Sequence, residues 1–203
     1  MVMRYERGRT LQQQIQMRQD QMSERFVRQV FMQLLNGLPE VHTHKILHLD
    51  IKPANIYLRT DGSPVLLDFG AARQTLTNQR PKLAPMYTPG FAAPEQYREP
   101  DRLGPWTDVY GIGASMFACL AAFAPQAADA RLGEDHLVSA KKIWAGAYSD
   151  NLLEVIDWCL RLDPLERPQS VFALQKAIRD IPPRKRKLAF LNTLKKKLFS
   201  EVV

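Results

Sequence analysis

Residues 48 to 70, HLDIKPANIYLRTDGSPVLLDFG, constrain the fold more than any other stretch of this 203-residue chain. Two short runs of β-prone residues, 56–58 and 65–67, flank Asp61 and Gly62, and an Asp-Gly pair is typical of hairpin turns. The pattern therefore predicts a β-hairpin. Antiparallel pairing brings together residues that are equidistant from the turn, so polar residues on either side should meet at the open end.

The open end of this hairpin carries two oxygen-bearing side chains. Asn55 and Asp68 lie six positions either side of the turn. A carboxamide beside a carboxylate suits Mg²⁺, which takes few protein ligands and completes its shell with phosphate and water. Just upstream, Asp50 and Lys52 precede Pro53, which favours extended backbone and lets side chains two residues apart point the same way. We therefore expect a base and a cation to face a magnesium site.

The motifs HLDIKPAN and DFG, in this order and at this spacing, resemble the catalytic loop and the metal-binding loop of eukaryotic-type protein kinases. Lys52 matches the serine/threonine branch of the family, and residues 1 to 181 resemble the bacterial members of that branch. The resemblance implies an ATP-dependent reaction in which Asp50 accepts the proton of the substrate hydroxyl and Lys52 contacts the transferred phosphoryl group. It also implies that Asn55 and Asp68 hold Mg²⁺, and that Asn55 belongs to the catalytic set.

Residues 87 to 97, YTPGFAAPEQY, resemble the peptide-positioning loop of the same family. The resemblance implies that Thr88 hydrogen-bonds near the catalytic base and favours a serine or threonine acceptor in a protein substrate. It implies an ion pair between Glu95 and Arg167, which are far apart in the sequence. Asp108, just before the apolar run IGASMFACLAAF, is implied to anchor the catalytic loop by accepting its backbone N–H groups.

The first residues, MVMRYERG, resemble a strand that runs into the hinge between the two lobes of a kinase. By that resemblance Met3 lies at the rear of the adenine pocket, and Tyr5 and Tyr57 also contribute to the nucleotide site. A glycine-rich phosphate loop does not occur in the sequence, and no lysine precedes Lys45. We therefore expect a large lobe without its small lobe, which binds ATP poorly unless a small lobe or a partner chain is supplied.

Helical periodicity dominates the rest of the chain. Apolar residues recur at helical spacing over 23–41, where Ser23 is the expected N-cap. Pro39 should kink this helix or start a new turn. The helix leads to His48, which we expect to pack beneath Phe69.

Two further amphipathic helices are predicted over 152–162 and 171–181, and the intervening stretch 125–146 is predicted to be loop-rich. Trp144 and Trp158 are expected in the core. The fold class is therefore mainly α (α+β): a protein-kinase-like large lobe with a small β-hairpin at the catalytic site.

Composition agrees with one domain over 1–181 and a tail over 182–203. Apolar residues make up 45% of the chain, yet no apolar run is long enough to span a bilayer, and the N-terminus lacks the pattern of a signal peptide. Cys119 and Cys159 lie in apolar, helix-like surroundings, which favours two buried thiols in a reducing compartment. We therefore expect a cytoplasmic protein.

The tail holds most of the excess positive charge. Seven of the 28 basic residues and one of the 21 acidic residues lie in 184–203. Its apolar residues gather on one side of a predicted helix, so packing back on the domain and peripheral contact with an anionic membrane both fit. Nucleic acid is not expected as a partner, because no recognition module accompanies the basic run.

Three function classes fit these observations. A serine/threonine protein kinase has every large-lobe catalytic residue present. A catalytically inactive, truncated kinase that acts as a protein-binding module fits the missing small lobe. A small-molecule phosphotransferase can share the same carboxylates, although Lys52 and the TPGFAAPE segment argue against it. Leu49 stands where many kinases have an arginine that binds a regulatory phosphate, so we expect no switch of that kind here.

Overall fold

The computed structural model describes residues 6–18, 22–69, 73–74 and 87–179. These residues form the following helices and strands in chain order: β1 (Gly8–Thr10), α1 (Leu11–Gln16), α2 (Glu24–Thr43), β2 (Ile46–Leu47), β3 (Ile56–Arg59), β4 (Pro64–Leu66), β5 (Arg73–Gln74), α3 (Pro94–Arg98), α4 (Pro105–Ala121), α5 (Ala128–Arg131), α6 (Ala140–Trp144), α7 (Asp150–Cys159) and α8 (Val171–Arg179). Short 3₁₀ turns occur at Pro53–Asn55, Pro100–Arg102 and Pro164–Glu166. The mainly helical α+β class is as predicted.

Two of the predicted nucleotide-site residues, Met3 and Tyr5, and the whole tail 182–203 lie outside the described residues. Contact of the tail with a membrane therefore stays a prediction. Within the described part of the chain, no helix is both long and apolar enough to cross a bilayer.

The β-structure is larger than the single hairpin predicted from the sequence. β1 pairs antiparallel with β3, which pairs antiparallel with β4, and this gives a three-stranded sheet in the order β1-β3-β4. A second ladder joins β2 to β5. The strands β1, β2 and β5 are two or three residues long. They could not be predicted from the sequence because an alternation of apolar and polar residues cannot be recognised over so few positions.

The hairpin is present, but its register differs by one residue from the predicted one. The Leu67 N–H donates to the Asn55 carbonyl (2.8 Å), so Asn55 lies opposite Leu67 rather than Asp68. The reason is the turn, which holds three residues, 60–62, and places Gly62 in the left-handed region (φ 82°). Asp68 also has a left-handed backbone (φ 61°), so the chain turns away from the ladder at that residue.

α2 is the helix predicted over 23–41, and it runs further, to Thr43. The Ser23 hydroxyl caps its first turn, as predicted. Pro39 does not start a new turn, because the helix continues unbroken through it. Proline lacks the N–H that would bond the Leu35 carbonyl, and that carbonyl accepts instead from Gln175 Nε2 of α8 (3.1 Å).

α4 is the central helix, and it is buried from Thr107 to Leu120. Its packing against the catalytic loop depends on Gly111, because a Cβ there would lie 2.8 Å from the Ile51 carbonyl oxygen. Cys119 and Cys159 are buried free thiols, as predicted, and their burial raises the pKa of both well above the usual range. The core therefore reaches directly beneath the residues of the predicted site.

Two expectations about the C-terminal half need correction, the burial of Trp158 and the bounds of α7. Trp158 is 37% exposed, so it is not a core residue, whereas Trp144 is buried. The stretch 125–146 is loop-rich, as predicted, and contains the short helices α5 and α6. α7 spans Asp150–Cys159 rather than 152–162, whereas α8 begins at Val171, as predicted.

Candidate active site

The site centres on the carboxylate of Asp50, which accepts two side-chain hydrogen bonds and forms one ion pair. Lys52 Nζ lies 2.8 Å from Oδ2, Asn55 Nδ2 donates to Oδ2 at 2.8 Å, and Thr88 Oγ1 donates to Oδ1 at 3.0 Å. Lys52 also donates to Thr88 Oγ1 (2.7 Å). Four side chains singled out from the sequence therefore meet in one hydrogen-bonded cluster.

The cluster is open enough for a substrate to reach it. The side chains of Asp50 and Lys52 are 17% and 22% exposed. Two hydrogen bonds and one ion pair fix the orientation of the Asp50 carboxylate, and an ionised carboxylate is an acceptor only. Chemically, the arrangement offers a fixed proton acceptor beside a positive charge, which suits general-base chemistry on a hydroxyl near an anionic group.

Asn55 and Asp68 supply the oxygen atoms suited to a divalent cation. The Nδ2 group of Asn55 donates hydrogen bonds to the carbonyl oxygen and to the carboxylate of Asp50. In the described ranges no donor bonds its Oδ1, which leaves that oxygen for a cation. Asp68 is exposed and follows Leu67, the residue whose N–H donates to the Asn55 carbonyl. Carboxamide and carboxylate oxygens are hard ligands, so the donor set fits Mg²⁺ with phosphate and water completing its shell.

Tyr57 lies on β3, opposite Thr10 of β1, and its hydroxyl donates to the Glu6 carbonyl (2.9 Å). This bond ties the strand that follows Asn55 to the segment that precedes β1. The structure thus brings Tyr57 next to the residues of the predicted hinge, but its predicted role toward a nucleotide stays a prediction.

His48 connects the catalytic loop to the start of the metal-binding loop. Its Nε2 donates to the Leu67 carbonyl (3.0 Å), and its Nδ1 accepts from the Asp50 N–H (3.3 Å). The ring packs edge-on against Phe69 with centroids 4.7 Å apart, as predicted. Both ring nitrogens of His48 form hydrogen bonds and the ring packs against Phe69. These contacts fix the position of the loop that carries Asp50 relative to the loop that carries Asp68.

Asp108 of α4 receives the backbone of the catalytic loop. Its carboxylate accepts from the N–H groups of His48 (3.0 Å) and Leu49 (2.8 Å) and from His42 Nε2 (2.8 Å). The side chain is fully buried, and three donors offset the cost of burying the charge. Sequence analysis gave His42 no part in the site, since one histidine at a helix end carries no signal for a partner 66 residues away.

Leu49 adopts a left-handed backbone (φ 65°), which is unusual for a bulky residue and costs about 1–3 kcal/mol. Both of its peptide groups are held by buried side chains. Its N–H donates to Asp108, and its carbonyl accepts from Gln96 Nε2 (2.8 Å). Gln96 Oε1 in turn accepts from the Ala93 N–H (2.9 Å). Gln96 therefore ties α3 to the residue before Asp50. Sequence analysis missed this role because nothing in AAPEQY marks it.

We predict that Gln96→Leu loosens the catalytic loop at Leu49. The change leaves a half-buried carbonyl without its donor, at a cost of about 1–3 kcal/mol, and it removes one of the two bonds that hold the strained backbone. Hydrogen exchange of the Leu49 amide, measured by NMR, should therefore become faster relative to amides in α4.

Gln175→Leu is the matched control for this change, because Gln175 also donates to a backbone carbonyl but lies on α8. It should leave exchange at Leu49 unchanged. Equal acceleration at Leu49 in both variants would contradict a local role for Gln96.

Glu95 and Arg167 form a fully buried, two-bond ion pair, with Nη1–Oε1 2.8 Å and Nη2–Oε2 2.9 Å. The remaining donors of the guanidinium bond the carbonyls of Arg161, Leu162 and Trp106. Glu95 also accepts from the Thr107 hydroxyl (2.8 Å). The pair joins α3, which follows the peptide-positioning loop, to the segment before α8.

Comparison with known proteins decides the family to which this site belongs. Residues 1–178 match the family described as "Protein kinase domain". The chain belongs to the protein kinase family. ATP and Mg²⁺ use, phosphoryl transfer and protein substrates are typical of its members.

The relatives of this kinase include bacterial and fungal serine/threonine kinases. It is 35% identical over 176 residues to "Serine/threonine-protein kinase PknA" of Nostoc sp., covering 80% of this chain and 30% of that protein. It is 33% identical over 164 residues to "Serine/threonine-protein kinase C" of Synechocystis sp. (75% and 29%) and 31% identical over 150 residues to "Serine/threonine-protein kinase STE20" of Candida glabrata (72% and 16%). These matches support the predicted kinship with bacterial-type serine/threonine kinases.

A solved structure has the same fold. The structure described as "PpkA-294 apo form" superposes with a TM-score of 0.75 at 31% identity, covering 86% of this chain and 61% of that one. The chain thus spans less than a third of the length of these curated relatives and under two thirds of this structure.

Proposed function

We propose that this chain is the large lobe of a serine/threonine protein kinase, which transfers the γ-phosphoryl group of ATP to a hydroxyl of a protein substrate. The observation that carries the proposal is the cluster in which Asp50 accepts hydrogen bonds from Asn55 and Thr88 and forms an ion pair with Lys52. General-base chemistry and stabilisation of phosphoryl charge need an acceptor and a cation side by side, and this cluster supplies both.

In the proposed reaction, Asp50 accepts the proton of the serine or threonine hydroxyl while that oxygen forms its bond to phosphorus and the bond to ADP breaks. Lys52 keeps its ammonium group beside the transferring phosphoryl group and offsets its negative charge. Thr88, bonded to both residues, positions the acceptor hydroxyl. Bound Mg²⁺-ATP supplies the phosphoryl group and neutralises phosphate charge, and the oxygens of Asn55 and Asp68 are the atoms that would hold the metal.

The large-lobe assignment is supported by the absence of small-lobe motifs from the 203-residue sequence. A glycine-rich phosphate loop is absent from it, and Lys45 is its first lysine. A kinase nucleotide site lies between two lobes, so the large lobe alone leaves the adenine on an open surface. The proposal therefore predicts weak ATP binding by these 203 residues and stronger binding when a small lobe is added.

The test compares the purified chain with a version extended at its N-terminus by a kinase small lobe. Both are incubated with Mg²⁺, radiolabelled ATP and a generic protein acceptor, and the phosphorylated amino acid is identified. We expect phosphoserine or phosphothreonine from the extended version and little transfer by the chain alone. Transfer to a small molecule but not to protein, or phosphotyrosine as the sole product, would contradict the proposal.

A further inference from the structure

An apolar hollow of about 400 Å³ lies beside the Asp50 cluster. We call it the apolar hollow; its walls are formed by α1, by Lys52–Ala54, by Thr88 and Phe91, and by the end of α4 with the residues that follow it to Ala124. Its volume falls within the range of about 300–1,000 Å³ that is typical of ligand sites. The hollow is thus large enough for a bulky side chain.

The hollow is continuous with the place where an acceptor hydroxyl would sit. Lys52 and Thr88 line it, and the same two side chains bond the Asp50 carboxylate. An occupant of the hollow therefore contacts residues that touch the catalytic base. The polypeptide that brings its hydroxyl to Asp50 is the occupant that this continuity requires, because neighbouring residues of that polypeptide must pass the mouth of the hollow.

The lining favours an apolar side chain. Ile15, Phe91 and Phe123 contribute apolar surface, and alanines from α4 and the catalytic loop complete the wall. Phe123 is 62% exposed, so a bound apolar side chain would remove a large aromatic surface from water. Among the described lining residues Lys52 is the one charged group, and its positive charge disfavours an arginine or lysine in the hollow.

We propose that the apolar hollow binds a leucine, methionine or phenylalanine side chain that lies close in sequence to the acceptor serine or threonine, so that the kinase selects sites flanked by apolar rather than basic residues. This specificity rests on the proposed kinase function. The exposed amides of Gln12 and Gln16 at the rim are suited to hydrogen-bond the backbone of the same peptide.

The test measures peptide binding without nucleotide, by fluorescence anisotropy with the full chain. Short labelled peptides carry one serine and, at each flanking position in turn, leucine, alanine or arginine. We expect at least one leucine peptide to bind about tenfold more tightly than its alanine and arginine counterparts, because burying one aliphatic side chain is worth roughly this factor. Equal affinity of the three peptides at every position would overturn the proposal.

Phe123→Ala and Phe172→Ala form a matched pair, since both side chains are largely exposed (62% and 68%) but Phe172 lies on α8 and does not line the hollow. Phe123→Ala should abolish the leucine preference, and Phe172→Ala should retain it. The same loss in both variants would refute the assignment of the hollow.

A change of charge gives an independent check. Ala54 lines the hollow and is partly exposed, so Ala54→Glu would place a carboxylate there. We expect this variant to bind the arginine peptide more tightly than the leucine peptide, and an unchanged order would contradict the proposal. The binding assay contains no ATP, so its outcome does not depend on phosphoryl transfer. A leucine preference here, combined with no transfer to protein by the version extended with a small lobe, would overturn the kinase proposal alone, whereas transfer by that version without any preference here would overturn this proposal alone.

Discussion

Asp50→Asn is expected to lower phosphoryl transfer by about 10²–10⁴-fold, the range that one positioned general base contributes. The substitution keeps the size of the side chain and an oxygen that can accept from its neighbours, but an amide does not take up the hydroxyl proton. Binding of Mg²⁺-ATP should stay largely intact, because the proposed metal oxygens belong to Asn55 and Asp68. The measurement is the initial rate of transfer by the version extended with a small lobe, together with nucleotide affinity by calorimetry.

Asp68→Asn is the partner variant in this experiment. It removes a formal negative charge from the proposed metal site, so Mg²⁺-nucleotide affinity itself should fall. Asp50→Asn is thus expected to lower the rate of transfer, whereas Asp68→Asn is expected to lower the affinity for Mg²⁺-nucleotide. Equal losses of affinity in both would show that the roles have been wrongly assigned.

Arg167→Met is expected to destabilise the protein by about 3–5 kcal/mol, because it leaves the carboxylate of Glu95 buried without its charge partner. The guanidinium makes two bonds to Glu95 and bonds to three backbone carbonyls, all in a site from which water is excluded. For a domain of this size, such a loss corresponds to a melting temperature lower by roughly 6–20 °C. Urea unfolding followed by circular dichroism gives the free energy of unfolding directly.

Two controls make this result specific. Arg102→Met removes an arginine that also bonds two carboxylates, those of Glu99 and Asp163, but on the surface, and it should leave the unfolding midpoint unchanged within error. The double variant Glu95→Gln with Arg167→Met should cost less than the sum of the single changes, since the stranded charge is gone. Additive losses would mean that the ion pair carries no coupling.

Much of the site could be predicted because several of its residues lie close together in the sequence, within short motifs. Asp50, Lys52 and Asn55 lie within six residues of each other, and the hairpin was visible in its Asp-Gly turn. Ser23 was recognisable as an N-cap because capping needs one side chain at one position. Such features depend on neighbours in sequence, which the sequence displays directly.

The features that could not be predicted depend on neighbours in space. The register of the hairpin was wrong by one residue because turn length, and not the turn dipeptide alone, sets the pairing. Trp158 was wrongly expected in the core, since helical periodicity does not say which face meets the rest of the domain. Gln96 and His42 gain their roles only through partners 47 and 66 residues away.

The link between Glu95 and Arg167 also bears on how the protein is made. The two residues are 72 positions apart, and ribosomes add about 5–20 residues per second. A growing chain therefore exposes its Asp50 loop and peptide-positioning loop for several seconds before the arginine that fastens the latter has been synthesised. During that interval Glu95 lacks the guanidinium that neutralises its charge in the folded protein. The link between α3 and the segment before α8 therefore cannot form until Arg167 has been synthesised, which makes it a late contact in the folding of a newly made chain.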